Sequence, residues 1–370
     1  MKEGWEIKRL GDVCIFDKMQ GRYRGLPYVG LEHIESHTAQ FTGSIEPQDV
    51  KSTTFWFNSD HVLYGRLRPY LNKALAPDFE GHCSTEIFPL KPKPDLAREF
   101  LLYWLLAEET CERINATCTG ARMPRAQMND VLEFEIPVPP LPEQQRIVAL
   151  LDEAFEALAT AKANAEQSLQ NARALFDSYL ESVFSQGGEG WTETTLDKIS
   201  TNLDSQRIPV TKSLRESGEF PYYGASGIVD YVADYIFEGD NLLISEDGAN
   251  LLTRSTPIAF SVSGRCWVNN HAHILNFEHM ATQRFVEFYL ESIKLDEYIT
   301  GAAQPKLNQK ALNSIPIPIP ESIAAQAEIV KTLESLQAET QRLTSIYERK
   351  LAALEELKTS LLHQAFNGEL

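Results

Sequence analysis

The sequence predicts an α+β protein: two similar mixed α/β globular modules, separated by two long antiparallel helices forming a coiled coil, with a pseudo-twofold internal repeat. Three observations predict it. The first is the repeat. Gly4-Trp5-x4-Leu10 returns as Gly190-Trp191-x4-Leu196, and Phe100-x4-Leu105 returns as Phe285-x4-Leu290. Thr119-Gly120-Ala121 returns as Thr300-Gly301-Ala302, and Gln144, Ile147 and Val148 return as Gln326, Ile329 and Val330. Order is kept along the whole chain, and the period far exceeds that of a solenoid, so it marks a duplicated module followed by a helix. The second observation is a pair of long stretches, about Pro142 to Ser185 and about Ser322 to Phe366, without interior Pro or Gly. The third is that the intervening segments alternate short β-rich runs with turn residues and one amphipathic helix each.

These readings divide the chain into a first module at 1–141, a central helix at 142–186, a second module at 187–320 and a C-terminal helix at 321–370. Pro139, Pro140 and Pro142 precede the first helix, and Pro316, Pro318 and Pro320 precede the second. Gly187-Gly188 and Gly368 follow them, the usual helix punctuation. Each helix would run about 66 Å at 1.5 Å per residue, longer than a globular module can cover, so each needs a partner. The second carries a heptad-like seam of Ile329, Leu333, Leu336, Thr340, Leu343, Tyr347, Lys350, Leu354, Leu357 and Leu361. The repeat offset gives the first helix the seam Ile147, Leu151, Ala154, Leu158, Ala161, Ala165, Ser168, Ala172, Leu175 and Tyr179. One seam is Leu-rich and the other Ala-rich, which suits close packing of two different helices. Within the modules, strands are expected near Thr54–Phe57, His61–Tyr64, Asn241–Ser245 and Ile258–Val262. Amphipathic helices are expected over Leu96–Asn115 and Thr282–Thr300.

Composition bounds the function. The chain has 370 residues, 43% hydrophobic and 10% aromatic, enough to form cores in about two domains and to exclude disorder as its main state. No window holds the ~18 uninterrupted apolar residues of a membrane span. The start, Met1-Lys2-Glu3-Gly4-Trp5, has no apolar h-region, which predicts a cytoplasmic protein without a secretory signal. The five cysteines, Cys14, Cys83, Cys111, Cys118 and Cys266, are scattered and read as free thiols. The formal net charge is −18, and each of the four segments is net negative, which by itself argues against a nucleic-acid binder.

Against that stands a resemblance. The chain resembles the specificity (S) subunit of type I restriction-modification systems, in its full-length form with two target-recognition domains. The likeness rests on the Trp-x4-Leu openings at Trp5–Leu10 and Trp191–Leu196 and on Tyr28-Val29-Gly30-Leu31-Glu32-His33-Ile34. It rests also on Leu63-Tyr64-Gly65-Arg66-Leu67-Arg68-Pro69-Tyr70, on Cys83-Ser84-Thr85-Glu86, and on the terminal Phe366-Asn367-Gly368-Glu369-Leu370. The most family-specific stretch is Ile136-Pro137-Val138-Pro139-Pro140-Leu141-Pro142-Glu143-Gln144-Gln145. The distal copy, Ile315-Pro316-Ile317-Pro318-Ile319-Pro320, is looser and has Ala324-Ala325-Gln326 in place of the Pro-Glu-Gln-Gln run.

The resemblance implies a non-catalytic subunit that binds an asymmetric bipartite site on double-stranded DNA, one half per recognition domain. It implies two methyltransferase (modification) subunits docked on the helices and, in a complex that also cleaves DNA, restriction/translocase subunits that join it; a methylation-only system is the other form this resemblance allows. S-adenosylmethionine and ATP with magnesium would belong to those partners. A duplicated reader suits two half-sites on one duplex, and lengthening the spacer helices by a turn is expected to lengthen the gap between half-sites.

The local cation clusters supply candidate DNA contacts. In the first module these are Lys18, Arg22 and Arg24 in a Gly-containing polar loop, Arg66, Arg68 and Lys73 after a β-like run, and Arg122 and Arg125. Distally they are Asn250 and Arg254 after Gly248, with Gln304 and Lys306. Arg122, Arg125, Gln304 and Lys306 fall in matched Gly-Pro loops that follow matched helices, where recognition residues are commonly held. Arg can read guanine, and Asn or Gln adenine, through paired hydrogen bonds. With so few cations, binding by the chain alone is expected to be weak, and binding by the complex tight and salt-sensitive.

Two competing classes are a protein-binding coiled-coil scaffold without DNA specificity, and a nuclease or methyltransferase fused to recognition domains. No Gly-x4-Gly-Lys-Ser/Thr phosphate loop is present, nor an Asn-Pro-Pro-aromatic tetrapeptide. Glu246 with Asp247, or Glu86 with Lys91, makes no convincing nuclease pattern. His271-x-His273 near Cys266 fits no common zinc spacing and reads as ordinary packing.

Overall fold

The computed structural model describes residues 4–120, 122–301 and 304–370; Met1, Lys2, Glu3, Ala121 and Ala302, which the sequence motifs above include, and Ala303 lie outside them. Two units emerge. One comprises 1–166 with 348–370, the other 167–347. Each therefore joins one module to the start of the helix that follows it and to the end of the other long helix.

In the first unit, β1 (Glu6–Arg9), β2 (Cys14–Phe16), β3 (Gln20–Gly21), β4 (Tyr28–Val29) and β5 (Thr54–Phe57) precede β6 (Val62–Gly65), β7 (Ala74–Leu75), β8 (Gly81–Cys83), β9 (Ile87–Pro92) and β10 (Glu135–Val138). They form sheets ordered β2-β9-β6-β7 and β3-β5-β8-β4, with β1 and β10 as a separate antiparallel pair. The first sheet packs its inner face on the helix Arg98–Leu106, in a core that includes Leu10, Tyr64, Leu90, Phe100 and Leu105. A smaller core under the second sheet holds Val29, Phe57, Leu63 and Ile87. The pair β1–β10 explains its prolines: Ile136 and Val138 are buried, and Pro137 alternates with them. A proline in the alternating position removes an N–H from one edge and keeps the ribbon two-stranded.

The second unit repeats the plan. Its strands are β11 (Trp191–Thr194), β12 (Thr201–Asn202), β13 (Ser217–Gly224), β14 (Gly227–Val232), β15 (Asn241–Ser245), β16 (Ala259–Val262), β17 (Trp267–Val268), β18 (Ala272–Asn276) and β19 (Ile317–Pro320). The sheets are β12-β18-β15-β16 and β14-β13-β17, with the pair β11–β19. The helix Met280–Ser292 lies against the first of them, and its Phe285 is buried with Leu242, Ile244 and Leu275.

The long helices are single elements, Leu141–Gln186 and Ile323–Asn367. Gly187 (φ 57°) and Gly368 (φ 76°) take the left-handed conformation just beyond their ends, where glycine alone has no steric cost. The Glu369 amide reaching back to the Gln364 carbonyl at 2.9 Å completes a Schellman cap. Within the first unit the two helical segments run antiparallel: Arg146 donates to the Leu370 carbonyl at 2.8 Å, and Lys162 pairs with Glu355 at 2.7 Å. Within the second unit, Leu180 and Phe184 share a core with Val330 and Leu333.

Three sequence expectations need correction. The seam follows the heptad only in part: Ile147, Leu151, Ala165, Ala172 and Leu333 are buried, but Leu175, Tyr179 and Leu357 are 59%, 38% and 47% exposed, and Lys350 is exposed. In the first helix the stripe moves by four-residue steps onto Phe176, Leu180 and Phe184, and in the second it passes from the predicted Leu361 onto Leu362 and Ala365. An α-helix turns every 3.6 residues, so a stripe that must face its own module drifts off a strict heptad. The expected helix Leu96–Asn115 is two helices, Arg98–Leu106 and Glu108–Ala116, broken at Ala107 (ψ 134°). The buried Asn72 donates its side-chain amide to the freed Leu106 carbonyl at 2.9 Å. The expected helix Thr282–Thr300 stops at Ser292, with Asp296–Tyr298 forming a separate 3-10 turn. There the Arg254 guanidinium donates to the carbonyls of Leu290 and Ile293 at 3.2 and 2.7 Å. Asn72 and Arg254 both sit in the left-handed region, at φ 43° and 50°, and do the same job in the two units.

The cysteines are free, as expected. Burial pushes the Cys111 and Cys266 thiols up to about 11, which leaves them protonated and unreactive at neutral pH.

Candidate functional site

The two units contain one backbone frame each, built from the same hydrogen bonds. In the first, the chain leaving β6 donates from the Arg66 amide to the Glu86 carbonyl at 2.8 Å, and from the Arg68 amide to the Pro124 carbonyl at 2.8 Å. The Ala126 amide returns a bond to the Arg66 carbonyl, and Thr119 and Arg125 exchange amide-to-carbonyl bonds at 3.2 and 3.1 Å. In the second, the chain leaving β15 donates from Glu246 to the His271 carbonyl (2.9 Å) and from Gly248 to the Pro305 carbonyl (3.0 Å). The Leu307 amide returns to the Glu246 carbonyl, and Thr300 and Lys306 exchange bonds at 2.9 and 2.8 Å. Three segments thus converge at the end of a central strand, and the matched Gly-Pro loops are closed by identical two-bond clasps.

The side chains on this frame differ. Arg66 in one unit corresponds to Glu246 in the other, Glu86 to His271, Arg68 to Gly248, and Arg125 to Lys306. Arg68 adopts φ 51° where the repeat has Gly248 at φ 110°. A non-glycine residue there carries a steric penalty of ~1–2 kcal/mol, yet the Arg68 side chain is exposed and makes no hydrogen bond or ion pair among the described residues. Strain retained around an unpartnered cation points to a role outside the fold.

The candidates fall into three groups. Arg66, Arg68, Arg122 and Arg125 lie together on the proximal frame, and Gln304 and Lys306 on the distal one. Arg122 and Gln304 are exposed. Arg125 donates from Nε and Nη2 to the Glu86 carboxylate at 2.9–3.0 Å, and Lys306 pairs with Glu246 at 3.1 Å. Arg66 lies over the Phe88 ring, Phe88 packs on Phe16, and Lys18 covers Phe16, so Lys18 and Arg66 flank one aromatic row. Arg22 and Arg24 are exposed on the segment after β3.

The remaining three are engaged inside the chain. Lys73 donates to the Leu31 carbonyl at 2.6 Å. Asn250 closes its own loop, donating to the Thr256 carbonyl and accepting from Ser255 and the Thr256 amide. Arg254 holds the helix end described above, and burial lowers its pKa against the pull of Glu291 and Asp296. These contacts make Asn250 and Arg254 supports of the loop, and both residues are half-buried.

Sequence reasoning missed the charge network behind Lys306. Asp204 accepts from His273 Nδ1 at 2.5 Å, the other ring nitrogen of His273 faces the Leu307 carbonyl at 2.8 Å, and Arg207 bonds Glu246 at 2.7 Å. Ligand atoms of Asp204, Glu246 and His273 lie within 4.8 Å of one another, but Arg207 already supplies the positive charge, and both His273 nitrogens are engaged. Only the three-dimensional meeting of β12, β15 and β18 assembles this network, so no local pattern could have found it. Burial raises the Asp204 carboxyl, but the His273 hydrogen bond and charge, the Ile274 amide and Arg207 outweigh it and hold the pKa below the usual value. Burial likewise opposes, and Arg207, His273 and Lys306 overcome, to lower that of Glu246. A folded pKa below the unfolded one contributes stability that is complete above the unfolded value and lost as pH falls through the folded one. Denaturation of the second unit is therefore expected to become easier below about pH 4, and Asp204→Asn to flatten that acid limb; an unchanged limb in D204N would refute the assignment.

A groove of about 1280 Å³ lies in the first unit. Six glutamates line it, Glu108, Glu109, Glu112, Glu135, Glu355 and Glu356, against Arg113 and His363. Its charge repels phosphate, which leaves the frame as the candidate interface.

A duplicated frame with dissimilar side chains defines a paired recognition protein, and comparison with known proteins gives its family. The chain belongs to the type I restriction modification DNA specificity domain family, whose model matches residues 2–170 and again 188–355. It is similar to a protein of Haemophilus influenzae named as a type I restriction enzyme specificity subunit, 39% identical over 163 residues, 44% of this chain and 41% of the relative. It is also similar to the EcoDI type I restriction enzyme specificity subunit of Escherichia coli, 29% identical over 206 residues, 53% of this chain and 45% of the relative. The matched stretch thus spans less than half the length of these relatives. A chain solved in a study of complex assembly and conformational transition of the type I R-M system covers 100% of this chain and 99% of its own length. Its TM-score is 0.79 at 22% identity, a likeness of fold. Among the described residues, no helix is long and apolar enough to cross a membrane.

Proposed function

We propose that this chain is the DNA sequence-specificity subunit of a type I restriction-modification complex. It reads an asymmetric, bipartite site on double-stranded DNA, one half through each frame, and has no catalytic centre of its own. The observation that carries this reading is the frame itself: the same hydrogen-bonded scaffold occurs twice, with Arg66, Arg68 and Arg125 on one copy and Glu246, Gly248 and Lys306 on the other. A repeated backbone with changed side chains gives two related docking geometries with different base preferences. Two methyltransferase subunits dock on the long helices, where Leu150, Leu175, Tyr179 and Leu357 stay exposed, and in a complex that also cleaves DNA restriction/translocase subunits join them. S-adenosylmethionine and ATP with magnesium act on those partners. The complex works in the cytoplasm.

The test is long-read modification sequencing of a host expressing this chain with its neighbouring methyltransferase subunit, beside a host expressing that subunit alone. A new two-part motif with a fixed gap, present only with this chain, is expected. Exchange of residues 1–141 should then alter one half of it. An assembled complex that adds no motif would refute the reading.

Arg68 offers a sharper check. Replacing it with glycine, the residue of the repeat, relieves the left-handed strain and should leave stability equal or higher by up to about 1 kcal/mol. The same change removes an unpartnered cation, so DNA binding by the complex should weaken and its salt slope fall by about one. Denaturation and titration over a salt series measure the two effects, and a loss of stability with unchanged binding would contradict the assignment.

A further inference from the structure

Each frame holds a carboxylate against its loop cation, and the two units supply it from opposite sides. In the first unit Glu86 comes from the segment between β8 and β9 and receives three contacts of 2.9–3.0 Å from Arg125. It also lies 3.9 Å from Arg66, whose Nε is buried without a hydrogen-bond partner. In the second unit the residue aligned with Glu86 is His271, and the carboxylate sits instead at Glu246, the position of Arg66. It holds Lys306, the counterpart of Arg125, at 3.1 Å and is itself held by Arg207 at 2.7 Å. The pairing of carboxylate and loop cation is thus kept, although the residue that provides it has moved to the other segment. Helix or sheet formation requires neither pair, because the clasp at Thr119–Arg125 and Thr300–Lys306 is made by backbone atoms.

We propose that Glu86 and Glu246 are specificity-determining positioning residues: each carboxylate fixes the direction of one loop cation, Arg125 or Lys306, so that it reads a base edge instead of following the phosphates. This deepens the proposed function and rests on it. A guanidinium with Nε and Nη2 locked on a carboxylate cannot swing, and its remaining N–H groups keep one direction. Base readout depends on such fixed direction, whereas phosphate attraction does not. Neutralising the carboxylate therefore frees a cation for phosphate, and raises the general affinity while it lowers discrimination.

The experiment uses the chain assembled with its methyltransferase subunit. Motif preference is read by modification sequencing, and binding is read over a salt series on a duplex carrying the motif. Glu86→Gln should reduce discrimination in the first unit's half-site at least about fivefold, and leave the other half unchanged. Its salt slope should steepen by about one. A merely structural role would weaken binding without steepening that slope. Glu246→Gln should affect the opposite half, and Glu86→Asp, which keeps the charge, should retain more discrimination than Glu86→Gln. Unchanged half-site preference in E86Q, or equal losses in E86D and E86Q, would overturn the inference. If E86Q does not assemble, Arg125→Gln breaks the pair from the other side and must relax the same half alone; relaxation of both halves or of neither overturns it. A wild-type complex that marks no two-part motif overturns the function and this inference together, whereas a wild-type motif with an unaltered E86Q motif overturns the inference alone.

Discussion

Replacing Gln144 with alanine is expected to destabilise the first unit by about 3–5 kcal/mol, from three buried polar groups left without partners. Gln144 is fully buried at the start of the first long helix. Its side-chain amide donates to the carbonyls of Asp95 and Pro139 at 2.8 Å each, and its oxygen accepts from the Ala97 amide at 2.7 Å. One residue thus joins the proline-rich strand, the long helix and the entrance of the helix Arg98–Leu106. Alanine removes all three bonds and leaves the carbonyls of Asp95 and Pro139 and the Ala97 amide facing the space it opens. Gln326 repeats the device, donating to the Pro320 carbonyl at 2.7 Å and accepting from Thr282 at 2.6 Å. Urea denaturation of Gln144→Ala and Gln326→Ala should show a larger loss for the first, which breaks three bonds where the second breaks two. Equal or negligible losses would refute the role.

This glutamine shows how far the sequence carried. Its repetition at Gln144 and Gln326 was legible, and so was the Pro-to-helix junction around it, because a turn and a cap are local events. What Gln144 bonds was not legible, since Asp95 and Ala97 lie almost fifty residues away. The same division runs through the rest. Asn241–Ser245 and Thr54–Phe57 were found from their β-rich composition. The break at Ala107 was missed because its cause, Asn72, is distant and no Pro or Gly marks it. At the site, the matched loops with Arg122, Arg125, Gln304 and Lys306 were visible through the repeat. The carboxylates that hold two of them were not, because Glu86 and Glu246 occupy different places in the repeat. Arg254 was misplaced for the converse reason: a cation in a loop after glycine resembles a surface group until the helix end beneath it is seen. Arg207 gave no signal, since nothing around it in sequence predicts burial among Asp204, Glu246 and His273.

The second large effect is expected at Phe285. Its side chain is fully buried, with ring centroids 5.2 Å from Phe184 and 5.5 Å from Trp191, both edge-on. Phe184 also meets Tyr289 at 5.3 Å. The cluster joins the helix Met280–Ser292, the first strand of the second unit and the end of the first long helix. The first unit has the same joint, with Phe366 against Phe100 at 5.1 Å, where the long helix that contributes is the other one. Phe285→Ala should lose about 3–5 kcal/mol, from transfer of the ring and from the cavity it leaves. The cavity lies under the last turns of the helix, so amide exchange should accelerate first over 176–186, where Phe176, Leu180 and Phe184 lose their support. Phe285→Leu refills most of the volume and should recover more than half of the stability, while the edge-on contacts, worth about 0.5–1.5 kcal/mol per pair, stay lost. If F285A unfolds the second unit without prior exchange in 176–186, the aromatic joint is one contact among many, and the long helix is held there by Leu180 and Leu333 instead. If exchange in 176–186 leads, the repeat supplies the reason each long helix ends in phenylalanine: that ring anchors the helix end on the module beside it.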